Sequence, residues 1–129
     1  MHQFIPMKKI LIVEDDVDTL DLMETILHEQ GYAVIKVKRE IVIAEIAGIK
    51  PDLVIIDYML PFGLGTEICS AIKSNETTKG IPVVMYSANN KIRDLAKQNG
   101  ADAYIPKPFD LEQLIGLVNR FVKADHKIP

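Results

Sequence analysis

Apolar residues fall along the chain in two alternating rhythms. Five short runs rich in Val and Ile, Lys9 to Val13, Ala33 to Val37, Leu53 to Ile56, Pro82 to Tyr86 and Ala103 to Ile105, are apolar without period-two alternation. That pattern suits strands covered on both faces. Between the runs the apolar positions recur at helical spacing. Val17, Leu20, Met23 and Leu27 mark one helical face, with Gly31 as its stop, and Leu64, Ile68 and Ile72 mark a second. Ile92, Leu95 and Ala96 form a shorter face ending at Gly100. The last helix is the clearest, with Leu111, Leu114, Ile115, Val118, Phe121 and Val122 on one side and Asp110 and Gln113 as a capping-box variant at its start. The segment Arg39 to Ile49 is the exception: its β-branched residues lower helix propensity, and its apolar positions run more than halfway round the wheel.

Strand and helix alternate with a repeat of 20 to 30 residues, roughly one crossover unit. The pattern predicts a single doubly wound α/β domain, (βα)5, with a parallel sheet, right-handed crossovers and helices on both faces. Residues 1–7 are expected to be a peripheral leader, with Met7 as an alternative start, residues 8–123 the domain, and residues 124–129 a short tail.

Size and charge narrow the field. A chain of 129 residues suits one core, and 48% apolar with 26% charged residues is a globular composition. A net charge of −3 with scattered basic residues gives no footprint for direct nucleic-acid binding. No apolar stretch approaches the ~20 residues of a membrane span. The single cysteine, Cys69, cannot form an internal disulfide, so a cytoplasmic protein is expected. Cys69 and Met85 read as core, and His2, His28 and His126 lack metal-ligand spacing.

The candidate chemistry is carboxylate chemistry. Asp57 ends the run PDLVIID, and Glu14, Asp15 and Asp16 end the earlier run KKILIVEDD. If these are neighbouring parallel strands, their carboxyl ends gather the acids in one crevice, where open α/β sheets bind ligands. Like charges brought together point to a hard cation such as Mg²⁺, which takes oxygen ligands and works beside phosphoryl groups. Asp57 is therefore a candidate phosphoryl acceptor. Asp16 has a structural alternative, as a cap or first-turn acid of the following helix, and is left outside the direct ligand set. Ser87 is a hydroxyl at the end of the fourth strand: either a donor to an arriving phosphoryl oxygen or a cap for a helix beginning near Asn89.

Four pieces in order, ILIVEDD, DLVIIDYMLP, VVMYSA and GADAYIPKPF, resemble the receiver domain of bacterial two-component response regulators, over about residues 8 to 123. The resemblance implies a flavodoxin-like fold with strand order 2-1-3-4-5. It also implies Mg²⁺-dependent transfer of a phosphoryl group from a histidine kinase or histidine phosphotransfer protein to Asp57. It assigns the metal to Asp15, Glu14, Asp57 and the main-chain carbonyl of Met59. Lys107 would pair with Asp57 at rest and with a phosphoryl oxygen afterwards. Phosphate would draw in Ser87, Tyr104 would repack, and the surface of helix four, strand five and helix five would change. Asn89 and Met59 would tune phosphate loss, and the Lys107 to Pro108 bond is expected to be cis.

The output would be a downstream protein or a fused output domain. The oligomeric state, homodimer included, stays open, and the chain fits a stand-alone receiver and one cut from a longer regulator or hybrid kinase equally. On this reading the protein is no enzyme with a free substrate: it catalyses only its own phosphorylation and dephosphorylation. A hydrolase of the haloacid dehalogenase type is the second hypothesis, but its Asp-x-Asp-x-Thr pattern fails because Thr19 comes one residue early. A degenerate receiver used only for docking is the third, although every site element is present. Phe62 and Leu64, and the segment Arg39 to Ile49, are more apolar than exposed surface requires, which core packing, ordinary surface apolarity or a partner would explain.

Overall fold

The computed structural model describes residues 7–122. The expected tail, and the expected leader apart from Met7, lie outside the described residues.

Each apolar run becomes a strand: β1 (Lys9–Val13), β2 (Ala33–Val37), β3 (Leu53–Asp57), β6 (Val83–Ser87) and β7 (Ala103–Pro106). They form one parallel sheet in the order β2-β1-β3-β6-β7, which is the expected 2-1-3-4-5 order of the main strands. β4 (Met59–Leu60) and β5 (Gly63–Leu64) form a small antiparallel hairpin directly after β3. The helices are α1 (Val17–Glu29), α2 (Ile43–Ile49), α3 (Gly65–Ser74), α4 (Ile92–Gln98) and α5 (Leu111–Phe121).

Alternating side chains of the central strands feed two cores. Ile10, Ile12, Leu53 and Ile55 pack with Leu20, Met23, Leu27, Leu114 and Val118 of α1 and α5. Leu11, Val13, Val54 and Ile56 pack on the other face with Ile46, Cys69, Ile72 and Ile92 of α2, α3 and α4. Both faces of β1 and β3 are thus covered, which is why their sequences show no period of two. Cys69 and Met85 are fully buried, as expected, and burial pushes the Cys69 thiol up to about 11.

Four expectations need correction. Leu64 belongs to β5 and not to the third helix, because its backbone pairs with Met59. The helix after Ser87 begins at Ile92, not near Asn89, since residues 89–91 form a turn in which Asn89 Oδ1 accepts from Lys91 N at 2.8 Å. In Arg39 to Ile49 only Ile43–Ile49 is helical, and the segment's excess of apolar residues is mostly core: Ile41 and Ile46 are buried, and Ile43 and Ile49 pack against them. The last helix ends at Phe121, with Val122 as its cap. The expected aspartate caps are in place, since Asp16 and Asp110 accept from the main-chain N–H of Thr19 and Gln113 at 2.9 and 2.6 Å.

Tyr32, the residue before β2, fastens the end of α5: its buried hydroxyl lies 2.6 Å from the Val122 carbonyl oxygen and 2.5 Å from Asn119 Oδ1, both acceptors. Tyr32→Phe leaves that carbonyl without this donor, and urea denaturation is expected to show a loss of about 1–2 kcal/mol.

Candidate functional site

Parallel strands place their carboxyl ends on one edge, and the chain loads that edge with charge. Glu14 follows β1, Asp57 ends β3, Ser87 ends β6 and Lys107 follows β7. Glu14, Asp57 and Ser87 are buried, while Asp15 is exposed. One carboxylate oxygen from each of Glu14, Asp15 and Asp57 lies within 4.8 Å of the others, the one such group among the described residues. Asp16 does not join them, because its carboxylate caps α1 through Thr19.

Lys107 Nζ sits between two of these acids, 3.2 Å from Asp57 Oδ2 and 3.4 Å from Glu14 Oε1. The loop that carries it is held by the Lys107 N–H donating to the Ser87 carbonyl at 2.8 Å, and the Lys107–Pro108 bond is cis as expected. Burial and the neighbouring charge of Glu14 raise Asp57 to about 6, with the Lys107 ammonium opposing them. Burial alone would raise Glu14 too. Hydrogen bonds from Tyr86 and from the main chain of Asp16, together with the Lys107 charge, outweigh it and hold Glu14 below its ordinary value. Asp15 is raised by burial and by its contact with Glu14.

The remaining expected residues are placed as follows. Ser87 Oγ accepts from the Asn89 N–H at 3.0 Å. The Met59 N–H reaches Asp57 Oδ1 at 3.4 Å, and the Met59 side chain is largely exposed. Tyr104 is 39% exposed and lines a groove of about 610 Å³ with Arg93, Lys97 and Arg120, on the surface of α4, β7 and α5. Its ring therefore lies outside the core.

Two residues have roles that sequence reasoning did not assign. Tyr86, fully buried beside Ser87, donates its hydroxyl to Glu14 Oε1 and presents its ring 4.4 Å from Lys107 Nζ. The available signal was a phenol in an otherwise aliphatic strand end, since a buried hydroxyl requires a partner. Gly65 begins α3 directly beneath the Asp57 carbonyl, where a Cβ would collide with that oxygen and lie 2.8 Å from Ile56 Cγ2. Its N–H donates to the Tyr58 carbonyl at 2.7 Å, so α3 starts pressed against the strand end.

The donor set suits a hard divalent cation: it is all carboxylate oxygen, with one exposed acid giving access. A family model, the response regulator receiver domain, matches residues 10–119. The chain belongs to that family. It is 34% identical over 129 residues to the DNA-binding dual master transcriptional regulator RpaA of Synechocystis, covering 95% of this chain and 52% of RpaA. It is 32% identical over 119 residues to the protein PilG of Pseudomonas aeruginosa, covering 90% of this chain and 88% of PilG. The receiver thus spans about half the length of RpaA and most of PilG. Among solved structures, a putative response regulator from Chloroflexus aurantiacus superposes with a TM-score of 0.83 at 27% identity, covering 88% of this chain and 96% of that one. The chemotaxis protein CheY4 of Vibrio cholerae shares the fold, with a TM-score of 0.81 at 24% identity over 91% of this chain and 100% of that one. The chain is therefore a signalling domain of the two-component type. No described helix of this receiver is long and apolar enough to cross a membrane.

Proposed function

We propose that this receiver accepts a phosphoryl group on Asp57 from a histidine kinase or histidine phosphotransfer protein, in a reaction that depends on Mg²⁺. The observation that carries this reading is the meeting of Asp57, Glu14, Asp15 and Lys107 at one end of the sheet. Three clustered acids with one lysine beside two of them are short of positive charge, and a divalent cation supplies what is missing. An Asp57 oxygen attacks phosphorus, the P–N bond of the phosphohistidine breaks, and the imidazole leaves with the bond's electron pair. Asp15 and Asp57 would hold the cation, with Glu14 reaching it directly or through water and the Met59 carbonyl completing the protein ligands. Bound there, Mg²⁺ would supply positive charge against the phosphoryl oxygens. Lys107 neutralises a further oxygen, moving from its pairing with the Asp57 carboxylate.

The readout follows from Ser87. Its hydroxyl is free to donate towards a phosphoryl oxygen while it accepts from Asn89, so a shift of Ser87 carries the turn before α4 with it. Tyr104, on the groove between α4, β7 and α5, then repacks, and that surface meets a downstream protein or a fused output domain. Asn89 and Met59 would set how readily water reaches the phosphate. The reaction is the domain's own modification, carried out in the cytoplasm, and this segment binds no nucleic acid directly.

Incubation with acetyl phosphate and Mg²⁺ is expected to add one phosphate to the wild type by intact mass. Asp57→Ala and chelated wild type should take none. Equal labelling of Asp57→Ala would sink the assignment.

A further inference from the structure

Glu14 has few acceptor sites left. An ionised carboxylate offers about four lone-pair positions. Oε2 accepts from the N–H groups of Asp15 and Asp16 at 2.8 and 3.2 Å, and Oε1 accepts from the Tyr86 hydroxyl and from Lys107 Nζ at 3.4 Å. Two of these donors are main chain, and the lysine also serves Asp57. Tyr86 is the remaining one, and it has little room to move: its backbone pairs opposite Asp57, its side chain is fully buried, and its ring packs beneath the Lys107 ammonium. The ring belongs to the apolar cluster that also holds Ile12 and Ile105, to which an aliphatic side chain would be equally suited. Packing alone therefore does not account for the hydroxyl.

We infer that Tyr86 sets the cation preference of the site by keeping Glu14 out of direct coordination. The inference rests on the Mg²⁺-dependent reading above and deepens it. With Oε1 held by the phenol, Glu14 contributes its charge through water, and the protein offers few oxygens directly. Such a site suits Mg²⁺, which is small, demands octahedral geometry and keeps several of its waters. It disfavours Ca²⁺, which gathers six to eight oxygens and gains from each additional carboxylate. Removing the hydroxyl frees an Oε1 lone pair for a cation large enough to use it. Tyr86 is thus a positioning residue that acts through Glu14.

The test is calorimetric titration of metal-free protein with Mg²⁺ and with Ca²⁺, with acetyl phosphate labelling run in parallel. Tyr86→Phe keeps the ring and is expected to tighten Ca²⁺ binding about three- to tenfold while moving Mg²⁺ affinity by less than about twofold. In a Glu14→Gln background the same substitution should shift neither. Tyr86→Met, which also lacks the hydroxyl, carries the same expectation and covers the case in which Tyr86→Phe does not fold. An unchanged Ca²⁺ to Mg²⁺ ratio, or a shift that persists without the Glu14 charge, overturns the inference while a labelled wild type leaves the phosphoryl-transfer reading standing. A wild type that binds no cation and takes no label sinks both.

Discussion

Gly65→Ala is expected to lower the melting temperature by about 10 °C and to weaken cation binding at a site to which Gly65 contributes no ligand. The added methyl has nowhere to go. It points into the main-chain carbonyl oxygen of Asp57 and sits 2.8 Å from Ile56 Cγ2, and neither is the loose end of a flexible side chain. Strand β3 is buried on both faces and hydrogen-bonded on both sides, so it cannot yield without disturbing β1 and β6. The strain therefore falls on the start of α3 or on the backbone that aims Asp57, at a cost of about 3 kcal/mol. Gly116→Ala is the control, because a Cβ on that residue of α5 meets nothing within 4 Å. That change should be neutral or stabilise by up to about 1 kcal/mol through helix propensity alone. Thermal melts and Mg²⁺ titrations of both variants check the contrast, and similar melts for the two would contradict it.

Asp57→Asn is expected to be more stable than the wild type at pH 7.5 in metal-free buffer. Asp57 rises from an ordinary value of 3.8 to about 6 because burial and the Glu14 charge outweigh Lys107. A carboxyl raised in the folded state binds more protons there than in the unfolded chain, so stability falls as pH climbs from about 4 through about 6 and then levels off. Above that window the folded protein carries an ionised acid it would rather hold protonated, a strain of up to about 3 kcal/mol. The amide in the variant removes the charge and should gain about 2 kcal/mol at pH 7.5, shrinking towards nothing near pH 4. Adding Mg²⁺ to the wild type should narrow the gap, since the cation stabilises the ionised form. Urea titrations at several pH values decide the matter, and a difference independent of pH would refute the account. Stability surrendered at Asp57 fits a group kept ready for another partner.

The strands were legible because a sheet covered on both faces writes its burial directly into the sequence. Ile10 to Val13 and Leu53 to Ile56 have no exposed face and so no alternation. Asp16 and Asp110 were legible as caps because a short acid before an apolar helical face has one common local use. The hairpin of Met59–Leu60 with Gly63–Leu64 was hidden, since two-residue strands carry no period and Leu64 continues the helical spacing of Ile68 and Ile72. The start of α4 was hidden because Asn89 builds a turn that resembles a helix entry in sequence. At the site, the acids and Lys107 could be placed from their positions at strand ends. Tyr86 could not, because its partner Glu14 is 72 residues away and only the sheet order brings the two together.

The helices are not equally secured at their starts. α1 and α5 are capped by aspartates, whereas α4 spans only seven residues and its cap position, Lys91, makes no side-chain cap hydrogen bond. A short, uncapped helix held chiefly by Ile92 and Ala96 has less free energy separating it from its frayed form than its longer neighbours. The segment that follows Ser87 is thus among the cheapest parts of the domain to rearrange, and a shift there need not disturb the sheet. Local stability in this receiver is uneven, with a stiff centre beside a loosely anchored margin.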